Sequence, residues 1–136
     1  MGFFAWSDEL SVGNTFIDND HRRLISLVNG LYGAMEQGSG KDVQGKVLHG
    51  VIEYAQDHFK REETVMQRIG YVELASHKQE HNELIREVRN LQKKFGDGKS
   101  MLTIHVSALL RDWLFNHIVQ VDKKLTAAMQ EAGEAT

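Results

Sequence analysis

The chain has 136 residues, one domain's length, and its 16 Lys and Arg against 19 Asp and Glu leave a formal charge of −3 without the basic excess of a nucleic-acid binder. At 41% hydrophobic and 26% charged residues it reads as a globular protein, and with no cysteine it has no disulfide, zinc–thiolate site, iron–sulfur cluster or cysteine nucleophile. The unusual count is histidine, at seven, so any metal held here is held by imidazole and carboxylate oxygen.

The opening stretch lacks the basic start of a secretory signal and reaches the acidic pair Asp8-Glu9 at once. Trp6 stands where a myristoylation signal requires Ser or Thr, and no apolar run reaches bilayer length, so a cytoplasmic protein with no membrane insertion is expected. After an N-terminal arm (1–17), glycine breaks at Gly38-Ser39-Gly40, Gly70 and Gly96-Asp97-Gly98 leave four periodic segments, about 18–37, 41–69, 72–94 and 100–130. Apolar residues recur in each at steps of three and four: Ile17, Leu24, Ile25, Val28 and Leu31; Val47, Leu48, Val51, Tyr54 and Ala55; Leu84, Ile85, Val88 and Leu91; Val106, Leu109, Leu110, Trp113 and Leu114. No proline interrupts them. Ser100 is placed to cap the fourth segment, and the polar tail from Gln130 is expected to fray. Short connections between long amphipathic helices predict a single all-α domain over 1–136, an up-down-up-down four-helix bundle. Gly30, Gly33, Gly45 and Gly50 fall inside helices, where close helix–helix approach is the expected reason for them.

The informative residues are polar ones on apolar faces. At about 100° per residue, His21 lies among Ile17, Ile25 and Val28, and His58 shares a face with Val51, Tyr54 and Val65. Glu62 lies one turn beyond His58. His77 and His81 form a second one-turn pair continued by Leu84 and Val88, and His117 lies among Leu110, Trp113, Leu114 and Val121. Five histidines and a glutamate therefore point into one core, whereas His49 faces water and His105 sits at the edge of its stripe. One such histidine is usually a core residue with satisfied ring nitrogens. Five with a carboxylate are too costly to bury without compensation, which a metal supplies by binding neutral imidazole and ionised carboxylate. The donors are too many for one tetrahedral zinc and suit two six-coordinate ions of the iron or manganese kind. Asp122 is either a second bridging carboxylate or a solvated surface acid. Its five-residue spacing from His117, about 140° in an α-helix, needs a local π-bulge or side chains aimed inward from flanking positions to reach one ion.

The string His21 … His58-x-x-x-Glu62 … His77-x-x-x-His81 … His117-x-x-x-x-Asp122 resembles the hemerythrin family, in particular its single-domain bacterial members. The contexts agree, as in Ile17-Asp18-Asn19-Asp20-His21, His58-Phe59-Lys60-Arg61-Glu62, His77-Lys78-Gln79-Glu80-His81 and Trp113-Leu114-Phe115-Asn116-His117, and the likeness runs from Trp6 to Leu125. Asp20 departs from the family's usual glutamine, which is expected to alter the charge around His21. The resemblance implies two iron ions per chain, one on His77, His81 and His117 and the other on His21 and His58. Glu62, Asp122 and an oxo or hydroxo group would bridge them, and the two-histidine iron would keep a position open for dioxygen.

Such a site would bind dioxygen reversibly, for transport, storage or delivery to an oxygen-consuming enzyme, in a monomer that is not itself an enzyme. Neutral imidazoles keep iron ferrous, and apolar neighbours exclude the water and protons that would oxidise it. Leu114, one turn before His117, is a candidate for lining the dioxygen pocket or its access path and equally for plain core packing. The alternatives are a di-iron oxidase, peroxidase or nitric-oxide-handling enzyme, an oxygen or iron sensor acting through a partner, iron storage, and a zinc-stabilised bundle. Against catalysis, no residue beyond the ligands reads as a general acid or a substrate pocket.

Overall fold

The computed structural model describes residues 3–38, 40–96 and 104–133, without the side chains of 104 and 105. Asn14 starts the first helix: its backbone is extended while its side chain accepts the Ile17 N–H at 3.0 Å, so α1 (Thr15–Glu36) begins three residues before the predicted start. The arm ahead of it is fastened rather than loose. Buried Asp18 accepts Ser11 Oγ–H at 2.7 Å and Val12 N–H at 2.9 Å, Phe4 exchanges two 2.7 Å hydrogen bonds with the Asn29 side chain, and Phe3 stacks on Tyr32.

The second helix, α2 (Lys41–Ile69), has the predicted bounds. It ends on Gly70 at φ 66°, the left-handed conformation that lets Tyr71 N–H close on the Met66 carbonyl at 2.9 Å. The turn that follows delays α3 (Leu74–Gly96) by two residues. The fourth helix has three parts: α4 (Ile104–His117), a π-helical stretch (Ile118–Asp122) and α5 (Lys123–Glu131). The proposed Ser100 cap lies outside the described residues, and so does the end of the tail.

Side-chain contacts fix the directions. Asp20 meets His58; Gln92 meets His49, Arg89 meets Gln56 and His81 meets Glu63; His77 meets His117; His21 meets Asp122. Each pairing matches an early residue of one helix with a late residue of the next, so neighbours are antiparallel and the up-down-up-down bundle stands. Leu31, Leu48, Met66, Ile118 and Leu125 are completely buried along its axis. The glycine expectation fails at Gly30, Gly33 and Gly50, where an added Cβ would meet nothing within 4 Å; only Gly45 has a packing neighbour, Phe95 at 3.5 Å. Among the described residues no helix is long and apolar enough to cross a membrane.

Replacing Asn14 by alanine removes the side-chain cap of α1's first turn, and thermal unfolding should register a loss of about 1 kcal/mol. An unchanged midpoint would mean that the arm alone holds this helix start.

Candidate metal centre

Each helix supplies its donors from the side that faces its neighbours. His21 comes from α1, His58 and Glu62 from α2, His77 and His81 from α3, and His117 and Asp122 from the two ends of the π-helical stretch. None of the seven is more than 3% exposed. Asp122 is thus no surface acid. The π stretch is what brings it in: Lys123 N–H reaches back five residues to the Ile118 carbonyl, and five-residue spacing then carries Asp122 onto the face of His117. Its Oδ1 lies 3.2 Å from His117 Nε2.

The donors form two groups that share both carboxylates. In the first, His117 Nε2 lies 3.1 Å from both His77 Nε2 and His81 Nε2, Asp122 Oδ1 is 3.1 Å from His77, and Glu62 Oε1 is 3.2 Å from His81. In the second, His21 Nε2 is 3.0 Å from Asp122 Oδ2 and His58 Nε2 is 3.2 Å from Glu62 Oε2. Each carboxylate therefore turns one oxygen to the three-histidine group and the other to the two-histidine group.

This arrangement fits metal ions. Both oxygens of Glu62 and of Asp122, with His21 Nε2 and His58 Nε2, are buried and make no hydrogen bond despite their short separations. Such a convergence of buried donor atoms is costly unless protons or a cation sit between them. Donors at right angles about an ion at about 2.1 Å stand about 3.0 Å apart, and tetrahedral ones about 3.4 Å. The observed 3.1 Å separations favour the right-angled case.

Behind the rings, the Nδ1 atoms of three histidines each face a carboxylate: His58 with Asp20 at 2.9 Å, His81 with Glu63 at 2.9 Å and His117 with Glu80 at 3.1 Å. This fixes the ring orientation and leaves Nε2 for the centre. The buried Nδ1 atoms of His21 and His77 have no hydrogen-bond partner. Asp20, expected to act on His21, acts instead on His58: one residue along a helix turns the side chain by about 100°, toward α2. Phe59 stacks on His81 with ring centres 3.8 Å apart, and Trp113 stacks on His117 at 4.4 Å. Glu63, Glu80 and Phe59 escaped the sequence reading as supporting residues. Adjacency to a ligand was their only signal, and it does not say which helix they face. His49 is exposed and pairs with Glu53, as expected for a water-facing residue, and the His105 side chain lies outside the described residues.

Two apolar spaces flank the centre. Leu24, Ala55, Leu84 and Leu114, each three residues from a ligand histidine on its own helix, form the next layer of the bundle around a cavity of about 20 Å³. On the other side a pocket of about 360 Å³, lined by Phe16, Ile17, Val65 and Met129 with Asp20 and Arg61, reaches Glu62. Its walls come from three helices, so nothing in the periodicity of any one segment announces it.

Charge in the cluster follows from burial opposed by neighbours. Burial alone would depress the His58 imidazole, but Glu62 and Asp20 outweigh it and raise the group to about 10. His77 rises against burial to about 9 through Asp122 and Glu62, and His117 rises in the same way through Asp122. Glu62 and Asp122 go well below the usual carboxylate range, since the surrounding histidines overcome burial and their mutual repulsion. Without metal, protons on the histidines balance the two carboxylates.

A four-helix bundle that gathers histidines and carboxylates from all of its helices into the core is a metal-carrying bundle. The family model of the hemerythrin HHE cation binding domain matches residues 12–129, and the chain belongs to the hemerythrin family, whose domain binds non-haem iron. It is 38% identical to the bacteriohemerythrin of Methylococcus capsulatus over 124 residues, 90% of this chain and 94% of that protein. It is 33% identical to the bacteriohemerythrin of Pseudomonas aeruginosa over 132 residues, 97% and 85% of the two chains. A crystal structure of wild-type hemerythrin superposes with a TM-score of 0.89 at 36% identity, covering 93% of this chain and 98% of that one.

Protons and metal compete for the same nitrogens. Because the His58 and His77 values are raised, the imidazolium–carboxylate attraction stabilises the metal-free fold fully below about pH 6.5 and is lost as pH rises through 9 to 10. Metal binding has the opposite slope. The affinity of the metal-free protein for a divalent cation should rise from pH 6 to 8 by up to about tenfold per unit for each proton displaced, with proton release visible by calorimetry in buffers of different ionisation enthalpy. A pH-independent affinity without proton release would contradict this placement of the charges.

Proposed function

We propose that this chain binds dioxygen reversibly at a di-iron centre, as a carrier, store or supplier rather than an enzyme. The observation that carries the reading is the unequal division of donors: five atoms face one point and four face the other, with both carboxylates common to the two. His77, His81 and His117 would hold one iron and His21 and His58 the other, with Glu62 and Asp122 bridging. The irons, when bound, supply the electrons that dioxygen takes up and returns. The two-histidine side has one protein ligand fewer and so leaves room for an external molecule.

The chain's own residues favour release over onward reaction. Five imidazoles stabilise the ferrous state better than additional carboxylates would. The layer of Leu24, Ala55, Leu84 and Leu114 carries no proton donor and keeps water from the centre on that side. Phe59 and Trp113, stacked on His81 and His117, keep those rings from turning. An oxygen-consuming enzyme is a suitable recipient, and sensing through a partner is compatible with the same chemistry. One observation favours a second reading, a di-iron oxidase or peroxidase: the apolar pocket that reaches Glu62 is large enough for a small organic substrate.

Metal analysis should return two irons per chain, and one iron, or zinc in its place, would sink the di-iron assignment. The reduced protein, cycled between argon and air, should gain and lose a ligand-to-iron charge-transfer band; colour that fails to reverse would point to the oxidase. Leu114→Ala should keep both irons, cost about 2–5 kcal/mol of stability and change the rate of dioxygen dissociation or autoxidation. Unchanged rates would leave Leu114 with a packing role alone.

A further inference from the structure

Asp20 differs from the other two carboxylates behind the ligand rings in holding three donors at once. Its Oδ2 faces His58 Nδ1 at 2.9 Å and accepts Arg61 Nε–H at 3.0 Å, and its Oδ1 accepts the Tyr54 hydroxyl at 2.8 Å. The Arg61 guanidinium carbon also stands 5.5 Å from the centre of the Tyr54 ring, so the four side chains form one closed group. An ionised carboxylate only accepts hydrogen bonds, so His58 Nδ1 carries a proton with or without metal, and Nε2, 3.2 Å from Glu62 Oε2, is the nitrogen left for an ion. Asp20 is joined in sequence to His21, the other histidine of the same donor group. One backbone segment of α1 thus sets a ligand of that position and the anion behind its second ligand.

We propose that Asp20, balanced by Arg61 and Tyr54, is the positioning residue that sets the reduction potential and the metal retention of the two-histidine position. The inference rests on the di-iron reading above. A carboxylate hydrogen-bonded to a ligand imidazole makes the ring a stronger electron donor and favours the more oxidised metal. Arg61 and Tyr54 withdraw part of that charge by sharing Asp20. The poise of the position is therefore a balance between one anion and two donors, adjustable in both directions by residues that touch no metal.

This gives a test that ordinary packing does not mimic. In the zinc-loaded full chain, nitrogen-15 NMR should find the His58 proton on Nδ1 and protected from exchange, and Asp20→Leu should remove that protection. After iron loading and dialysis, Asp20→Leu should weaken metal retention at one of two ions by about 10- to 100-fold, leaving close to one iron per chain. Asp20→Asn and Arg61→Gln, milder changes at the rim, should both keep two irons and shift the potential in opposite directions. Asp20→Asn raises it and Arg61→Gln lowers it, with ferrous protein lasting longer in air in the first and less long in the second. If the unaltered chain holds two irons but the two potentials do not move or move the same way, or if His58 is unprotonated at Nδ1, the inference falls and the di-iron reading stands. If the unaltered chain binds no pair of irons, both fall.

Discussion

Two carboxylates and five imidazoles are buried in the middle of this bundle, and the rest of the molecule is arranged around that. Removing an ion from water costs several kcal/mol even after relaxation, so Glu62 and Asp122 are tolerable only because histidines, or cations among them, surround both. Every helix gives up positions of its apolar stripe to the cluster. The neighbouring layer is wholly apolar, and two aromatic rings are stacked on the histidines. The centre is a polar layer inserted into an otherwise ordinary hydrophobic core, and its two donor groups, each able to hold a metal ion, lie in a hemerythrin-family domain.

The fourth helix bears the local strain of this arrangement. With regular α-helical hydrogen bonds Asp122 would point well away from His117, and with the Ile118–Asp122 stretch wound as a π-helix it does not. One looser turn costs hydrogen-bond quality in the backbone. It gains a second shared carboxylate, which puts an oxygen in each donor group. With no proline in the chain, a missing backbone donor is not the cause of the irregularity.

The surroundings differ from side to side. The three-histidine group is stiffened by Glu63, Glu80, Phe59 and Trp113, whereas the two-histidine group leans on Asp20 alone and borders the larger apolar pocket. The three-histidine side is thus the more closely supported of the two and the two-histidine side the less crowded. Each group also holds one ring, His21 in one and His77 in the other, whose buried Nδ1 has no hydrogen-bond partner.

Much of this is written in the sequence because helical periodicity is local. The apolar stripes define four amphipathic segments, and counting at about 100° per residue places His21, His58, Glu62, His77, His81 and His117 on inward faces before any contact is known. The same counting leaves Asp122 ambiguous, because its position depends on whether five residues of backbone wind as α or as π, and only the pull of donors on three other helices decides that. It also mistakes the target of Asp20 and does not foresee the Asn14 cap, Glu63, Glu80 or the pocket beside Glu62. Which ligands a chain can offer is a property of residue type and spacing along one helix. How they are shared, backed and left open depends on the angles between helices, and those are fixed when the bundle packs.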